Sequence, residues 1–170
     1  DQNGFTNKIK NPWYYEMQEI GFNYRITDFQ CALGRSQLKK LPLFLSKRKS
    51  LAKFYDKHFK SIKNVSTIHN KFRDYSSHHL YVIKINYEKI NVTRALLMKK
   101  LLDKGINTQV HYIPVLLHPF YVKLGYSSNL IKNSIKFYTE CLSIPIYYEL
   151  ENNDQLRIIK MINEIINGNE

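Results

Sequence analysis

The stretch GFNYRITDFQCALGRSQLKKL, residues 21–41, sets a polar, aromatic and cationic tripeptide, Asn23-Tyr24-Arg25, directly ahead of a helix start. Thr27 or Asp28 can cap that helix. Phe29, Ala32, Leu33 and Leu38 then recur at three- and four-residue spacing, the period of one helical face. Amide dipoles at a helix start favour an anion, and an Asn amide or an Arg guanidinium can add donors to phosphate oxygens, so this junction is a place to hold phosphate. A helix-capping loop, with Asn23 satisfying local backbone and Arg25 on the surface, accounts for the same spacing.

Upstream, residues 1–22 carry Pro12, Trp13, Tyr14, Tyr15 and Gly21 with neither helical nor strand periodicity, which predicts a packed loop. Downstream, Pro42 is expected to interrupt or kink the helix. A second helical run, Leu43 to Phe59, puts Leu51, Phe54, Tyr55 and Phe59 on one side. Lys47, Arg48, Lys49, Lys53 and Lys57 fall elsewhere, as a solvated face would have them. Beyond a polar connection, HHLYVIKI at 78–85 has the β-branched and aromatic content of a strand, and 93–104 has helical spacing closed by Gly105. Residues 107–113 read as a second strand, and parallel pairing of the two would need a right-handed crossover. Shorter helices are expected over 116–125 and 130–141, an edge strand at SIPI (143–146), and a terminal amphipathic helix over 154–166. Together these predict a small α/β domain carried on long helices, without internal repeats.

The chain has 170 residues, of which 44% are hydrophobic and 24% charged, enough apolar content for a folded core and too much for a disordered tail. No stretch approaches the roughly 20 apolar residues that cross a bilayer, and residues 1–13 lack a signal-peptide core, so no membrane partner and a cytoplasmic location are expected. Cys31 and Cys141 lie outside any zinc spacing and are expected as small buried residues, with neither disulfide nor metal site. The net charge of +12 raises nucleic acid as a partner. The lysines are scattered along the whole chain rather than gathered in a stripe, so no nucleic-acid partner is expected.

The segment GFNYRITDFQCALGRSQLKKL resembles the GxNYRxxDxQxAxGxxQL signature of the DegT/DnrJ/StrS-type sugar aminotransferases. KRKSLAKFYDKHF, SSHHLYVIKI, LLDKGINTQVHYIPVLLHPFYVKLGY and FYTECLSIPIY then follow in family order and at family-like intervals. VHYIP and WYYEMQEIGFNYR are most similar to the branch that makes UDP-4-amino-4,6-dideoxy-N-acetyl-β-L-altrosamine on the way to pseudaminic acid. The resemblance implies the C-terminal part of a fold-type-I transferase that depends on pyridoxal phosphate. Residues 1–41 would be the tail of the large cofactor-binding domain with its dimer-contact loop, and 42–170 a long connecting helix and small C-terminal domain.

It also implies an activity: glutamate donates its amino group to a UDP-linked 4-keto-6-deoxy sugar, in a homodimer, with the cofactor held by a Schiff-base lysine. In the family that lysine lies upstream of the NYR segment. Only Lys8 and Lys10 precede Asn23 here, neither in a His-x-x-Lys context, so no catalytic residue is expected in this chain and the chain alone is expected to be inactive. By resemblance, Asn23 reaches across the dimer to the phosphate of the neighbouring subunit's cofactor. Tyr24 and Arg25 shape the pocket and offer charge to the sugar nucleotide, and His111 and Tyr112 face substrate. A structural Tyr24 and a core-facing His111 remain open. His118 stands where relatives often have glutamine, and His78 and His79 are assigned to packing and capping. A non-catalytic regulatory or assembly relative of the same fold is the alternative function.

Overall fold

In the computed structural model, residues 5–6, 12–68 and 71–168 are described; Lys8 and Lys10 lie outside them. The chain divides into two compact units, Asp1–Lys39 and Lys40–Glu170. One helix, α1 (Asp28–Phe59), runs through the junction of the two. The rest of the second unit follows as β1 (Val65–Thr67), β2 (Tyr81–Ile85), α2 (Arg94–Asp103), α3 (Pro119–Lys123), α4 (Lys132–Glu140), β3 (Cys141–Ile144) and α5 (Asn152–Ile166).

Pro42 was expected to interrupt or kink the helix, and it does not interrupt it: α1 is continuous through Pro42. Proline removes one backbone N–H and leaves the carbonyl four residues earlier without a partner. Both Pro42 and Leu38 are exposed, so water can take that carbonyl's bond and the helix carries on. Only its second half meets a core: Leu51, Ala52, Tyr55 and Phe59 are buried, the side the spacing picks out. The basic run on the other side is not uniformly solvated. Arg48 is half-buried, and its Nη1 donates to the carbonyls of His78 at 3.1 Å, His79 at 3.2 Å and Ile146 at 3.1 Å.

The sheet has the order β1-β2-β3 and is antiparallel throughout. β2 alternates as a half-covered strand must: Tyr81, Ile83 and Ile85 are buried, and Val82 and Lys84 are half-buried. The two strands of the expected strand-helix-strand unit do not pair with each other. The free edge of β2 is taken by β3, so residues 107–113 reach only the far side of β3, through a single antiparallel bridge between Gln109 and Ser143. β1, three residues long, is too short to show a period and lies inside the stretch expected to be a polar connection.

Helix α2 starts as its sequence predicts, with the Leu96 amide donating to the Thr93 hydroxyl at 3.2 Å, and Gly105 follows it at φ +73°, in the left-handed region where glycine has no steric penalty. α2 and α5 contribute Leu97, Leu101, Ile158, Ile162 and Ile165 to one contiguous core with β2, β3 and the second half of α1. A polar cluster borders it. Asp56 of α1 accepts from Arg73 Nε at 3.0 Å and from the Tyr81 hydroxyl at 2.6 Å, which pins the 71–80 segment against α1. His78 is buried in that segment, and burial first, then the Arg73 charge, hold its imidazole below the ordinary histidine range. Cys141 is buried as expected. Cys31 is exposed, because the face of α1 that carries it is not covered.

The first unit is organised differently. Glu16 gathers the Thr6 amide, the Tyr14 hydroxyl and the Gln18 side chain, each at 2.7 Å, and Phe5 meets Tyr14 edge-on. Its large apolar side chains stay exposed: Trp13, Tyr15, Met17, Ile20 and Phe22 in the loop, Phe29 and Leu33 on α1. Against the expected packed loop, only Phe5 and Tyr14 among the loop's described aromatic residues are half-buried, and the rest are left uncovered by the described residues. No helix of the described residues is long and apolar enough to cross a membrane.

Candidate functional site

The Asn23-Tyr24-Arg25 tripeptide enters α1 through two tight turns: the Tyr24 amide donates to the Phe22 carbonyl at 3.1 Å and the Arg25 amide to the Asn23 carbonyl at 3.0 Å. The helix cap itself is made by Thr27 and Gln30. The Thr27 amide donates to Gln30 Oε1 at 2.9 Å, and the Gln30 amide returns to Thr27 Oγ1 at 3.3 Å, a reciprocal capping box. Asn23 therefore has no capping task. Among the described residues, no side-chain hydrogen bond is formed by Asn23, Tyr24 or Arg25, and all three are exposed.

This arrangement narrows how an anion would be held. The Thr27 and Gln30 amides are taken inside the box, and the Asp28 carboxylate in the first turn repels negative charge. What remains for a phosphate is the Asp28 and Phe29 amides beside that carboxylate and, free of it, side-chain chemistry: a neutral amide donor at Asn23 and a fork-shaped guanidinium at Arg25. Both residue types fit the phosphate of a cofactor such as pyridoxal phosphate.

His111 and Tyr112 belong to the second unit. Gln109 and Ser143 exchange backbone bonds, Gln109 N to Ser143 O at 3.1 Å and Ser143 N to Gln109 O at 2.8 Å, which sets the 107–113 segment beside β3. Two residues on, the half-buried His111 places Nδ1 2.8 Å from the Ser143 hydroxyl oxygen. It is tied to the strand rather than sunk in the core. Tyr112 meets its ring edge-on, with centroids 4.6 Å apart, and is 71% exposed. Tyr112 lines an open pocket of about 460 Å³ with Pro114, Val115, Leu116, Ile131 and Phe137. A pocket of about 500 Å³ lies between residues 86–88 and α4, with a mixed lining that includes Asn86, Tyr87, Lys132, Ile135, Lys136 and Glu140. The Tyr87 phenol at its edge is pushed up by burial and has no hydrogen-bond partner among the described residues.

His118 is exposed at the start of α3 and makes no capping bond, while His78 is buried and His79 exposed. The described residues contain no group of three side chains placed to hold a metal ion. Ser143 was not singled out by sequence reasoning. The signal that could have found it is a serine set among apolar residues in a short expected strand, since a hydroxyl buried there needs a partner.

Three comparisons bear on what these features serve. The model of the DegT/DnrJ/EryC1/StrS aminotransferase family matches residues 1–163. The UDP-4-amino-4,6-dideoxy-N-acetyl-beta-L-altrosamine transaminase of Campylobacter jejuni is 43% identical over 147 residues, which cover 85% of this chain and 38% of that protein. The spore coat polysaccharide biosynthesis protein SpsC of Bacillus subtilis is 34% identical over 160 residues, 92% of this chain and 41% of that one. Among solved structures, Helicobacter pylori PseC, an aminotransferase involved in the biosynthesis of pseudoaminic acid, matches with a TM-score of 0.81 at 30% identity, over 94% of this chain and 43% of its own. The chain thus spans well under half the length of the curated relatives it matches.

Proposed function

The chain belongs to the DegT/DnrJ/EryC1/StrS aminotransferase family, with the α/β fold of the C-terminal part of such enzymes, and we propose that it is the phosphate- and substrate-facing portion of a cytoplasmic, homodimeric nucleotide-sugar aminotransferase. The reaction would move an amino group from glutamate to a UDP-linked 4-keto-6-deoxy sugar, in pathways of the pseudaminic acid type. The observation that carries this reading is the Asn23-Tyr24-Arg25 tripeptide, exposed and forming no side-chain hydrogen bond among the described residues, directly ahead of a helix that is capped by other residues. Donors left idle in the chain are donors available to a ligand.

Pyridoxal phosphate, when bound, supplies the carbonyl that accepts the amino group and the conjugated ring that stabilises the negative charge left as protons move. Asn23 donates its amide N–H groups to that phosphate across the dimer. Arg25 sets a positive charge toward the sugar nucleotide, and Tyr24 walls the pocket. His111 and Tyr112 contact the nucleotide sugar from the second unit. The exposed side chains of Trp13, Phe22, Phe29 and Leu33 are offered to the remainder of the enzyme, as uncovered large apolar groups at an interface are. No lysine within this chain is assigned to the cofactor, so the chain alone does not transaminate.

A pair of assays with glutamate and a UDP-linked 4-keto-6-deoxy sugar tests the reading. The 170-residue chain alone is expected to be silent. Joined to the part of the Campylobacter jejuni transaminase that the match leaves uncovered, it is expected to restore amination, with Asn23→Ala weakening retention of the cofactor. Amination by the isolated chain, or a folded, cofactor-loaded chimera that aminates nothing, overturns the proposal; the second result favours a regulatory or assembly role.

A further inference from the structure

The Ser143 hydroxyl has one hydrogen-bond partner among the described residues, the Nδ1 of His111 at 2.8 Å, and Ser143 is only 5% exposed. A hydroxyl carries one hydrogen and two lone pairs, and in a buried site the hydrogen is the part that is costly to leave unpaired. Were His111 to donate from Nδ1, the Ser143 hydrogen would have no acceptor. With Ser143 donating, Nδ1 is the acceptor and the ring proton sits on Nε2. The backbone exchange between Gln109 and Ser143 holds the two segments in the register that brings these side chains together.

We propose that Ser143 is a positioning residue that fixes His111 in its Nε2–H form, so that the imidazole offers an N–H donor to a phosphate oxygen of a nucleoside diphosphate. The first half of this inference stands on the geometry of the pair; the second rests on the function proposed above. A neutral donor of fixed direction suits an oxygen ligand better than a ring free to exchange tautomers, because no ordering of the ring is left to be done on binding. Ser143 touches no ligand itself and acts only through His111.

Imidazole nitrogen NMR on the 170-residue chain separates the two halves, with the His111 signals assigned by His111→Gln. At alkaline pH the expected pattern is a single tautomer, with Nδ1 unprotonated and Nε2 bearing hydrogen. Ser143→Ala is expected to collapse that pattern toward a tautomer mixture, and Ser143→Thr, which keeps the hydroxyl, to retain it. A protonated Nδ1 in the unmodified chain overturns the inference without recourse to any variant. UDP is the probe for the second half: its addition is expected to shift His111 Nε2, and Ser143→Ala to weaken that response about fivefold. The expected tautomer with no response to UDP leaves the positioning role standing and overturns the nucleotide assignment of His111.

Discussion

The two halves of α1 carry the same kind of apolar spacing and end in opposite surroundings. Phe29 and Leu33 in the first half are 81% and 55% exposed, whereas Tyr55 and Phe59 in the second are 0% and 1% exposed. Nothing in helical periodicity separates them, since it says only that a face is apolar. What separates them is supply. The second half finds β2, α2, β3 and α5 within its own chain, all in one core, and the first half finds no covering element among the described residues. An apolar stripe is a demand for a partner, and the partner need not be in the same stretch of chain.

The largest expected effect comes from truncating the two halves in parallel. Phe59→Ala leaves a cavity in a closed core and is expected to cost about 3–5 kcal/mol in urea unfolding. Phe29→Ala removes a ring of the same size from an exposed face and is expected to change stability by less than about 0.5 kcal/mol. Equal losses would break the comparison, and would mean that the first half is covered in solution after all, by self-association. Repeating the Phe29→Ala titration at several protein concentrations detects that case, because association makes stability concentration-dependent.

The helices were largely legible in the sequence for a reason this contrast makes clear, since a helix carries its own period; the misread signal was Pro42, which α1 runs through. Thr93 and Gly105 bracket α2 as written, and the α5 face is plain in Ile158, Ile162 and Ile165. The sheet was legible in β2 and, displaced by two residues, in β3, which the SIPI stretch announces as an edge strand. β1 is too short to repeat, and the competition between residues 107–113 and 141–144 for one edge of β2 is decided by packing rather than by composition. The site divides along the same line. Asn23, Tyr24 and Arg25 are neighbours, so a local motif can display them. His111 and Ser143 stand 32 residues apart, and their 2.8 Å contact exists only once the Gln109 bridge has formed. Arg48 was hidden likewise among lysines that look alike in sequence, although its guanidinium is bound to three carbonyls.

Arg48 sharpens the comparison from within the buried half. Its three acceptors belong to the segment before β2 and to the residues just after β3, so one side chain joins α1 to both. Arg48→Ala is expected to cost about 2 kcal/mol, the scale for hydrogen bonds to a charged donor whose partners are left partly buried. Arg48→Lys is expected to recover only part, since an ammonium lacks the planar fork that reaches separated carbonyls. Lys49→Ala, one residue on and exposed, serves as the control and is expected to be silent. A silent Arg48→Ala in the same urea series would return the whole basic run to the solvated face that the sequence suggests.

The smallest effect belongs to the uncovered half and differs in kind. Thr27→Ala opens the capping box with Gln30 and is expected to cost about 1 kcal/mol of local helix stability. The first turns of α1 have no core to break, so that loss is expected to leave the urea midpoint of the second unit where it was. It should appear instead in amide hydrogen exchange, with the amides just after Thr27 exchanging about fivefold faster while those near Tyr55 are unchanged. A shift of the global midpoint by Thr27→Ala would mean that the two halves unfold as one. The exposed face would then be stabilised from the core through the continuous helix, and the ready surface proposed for the rest of the enzyme would be rigid before anything docks on it.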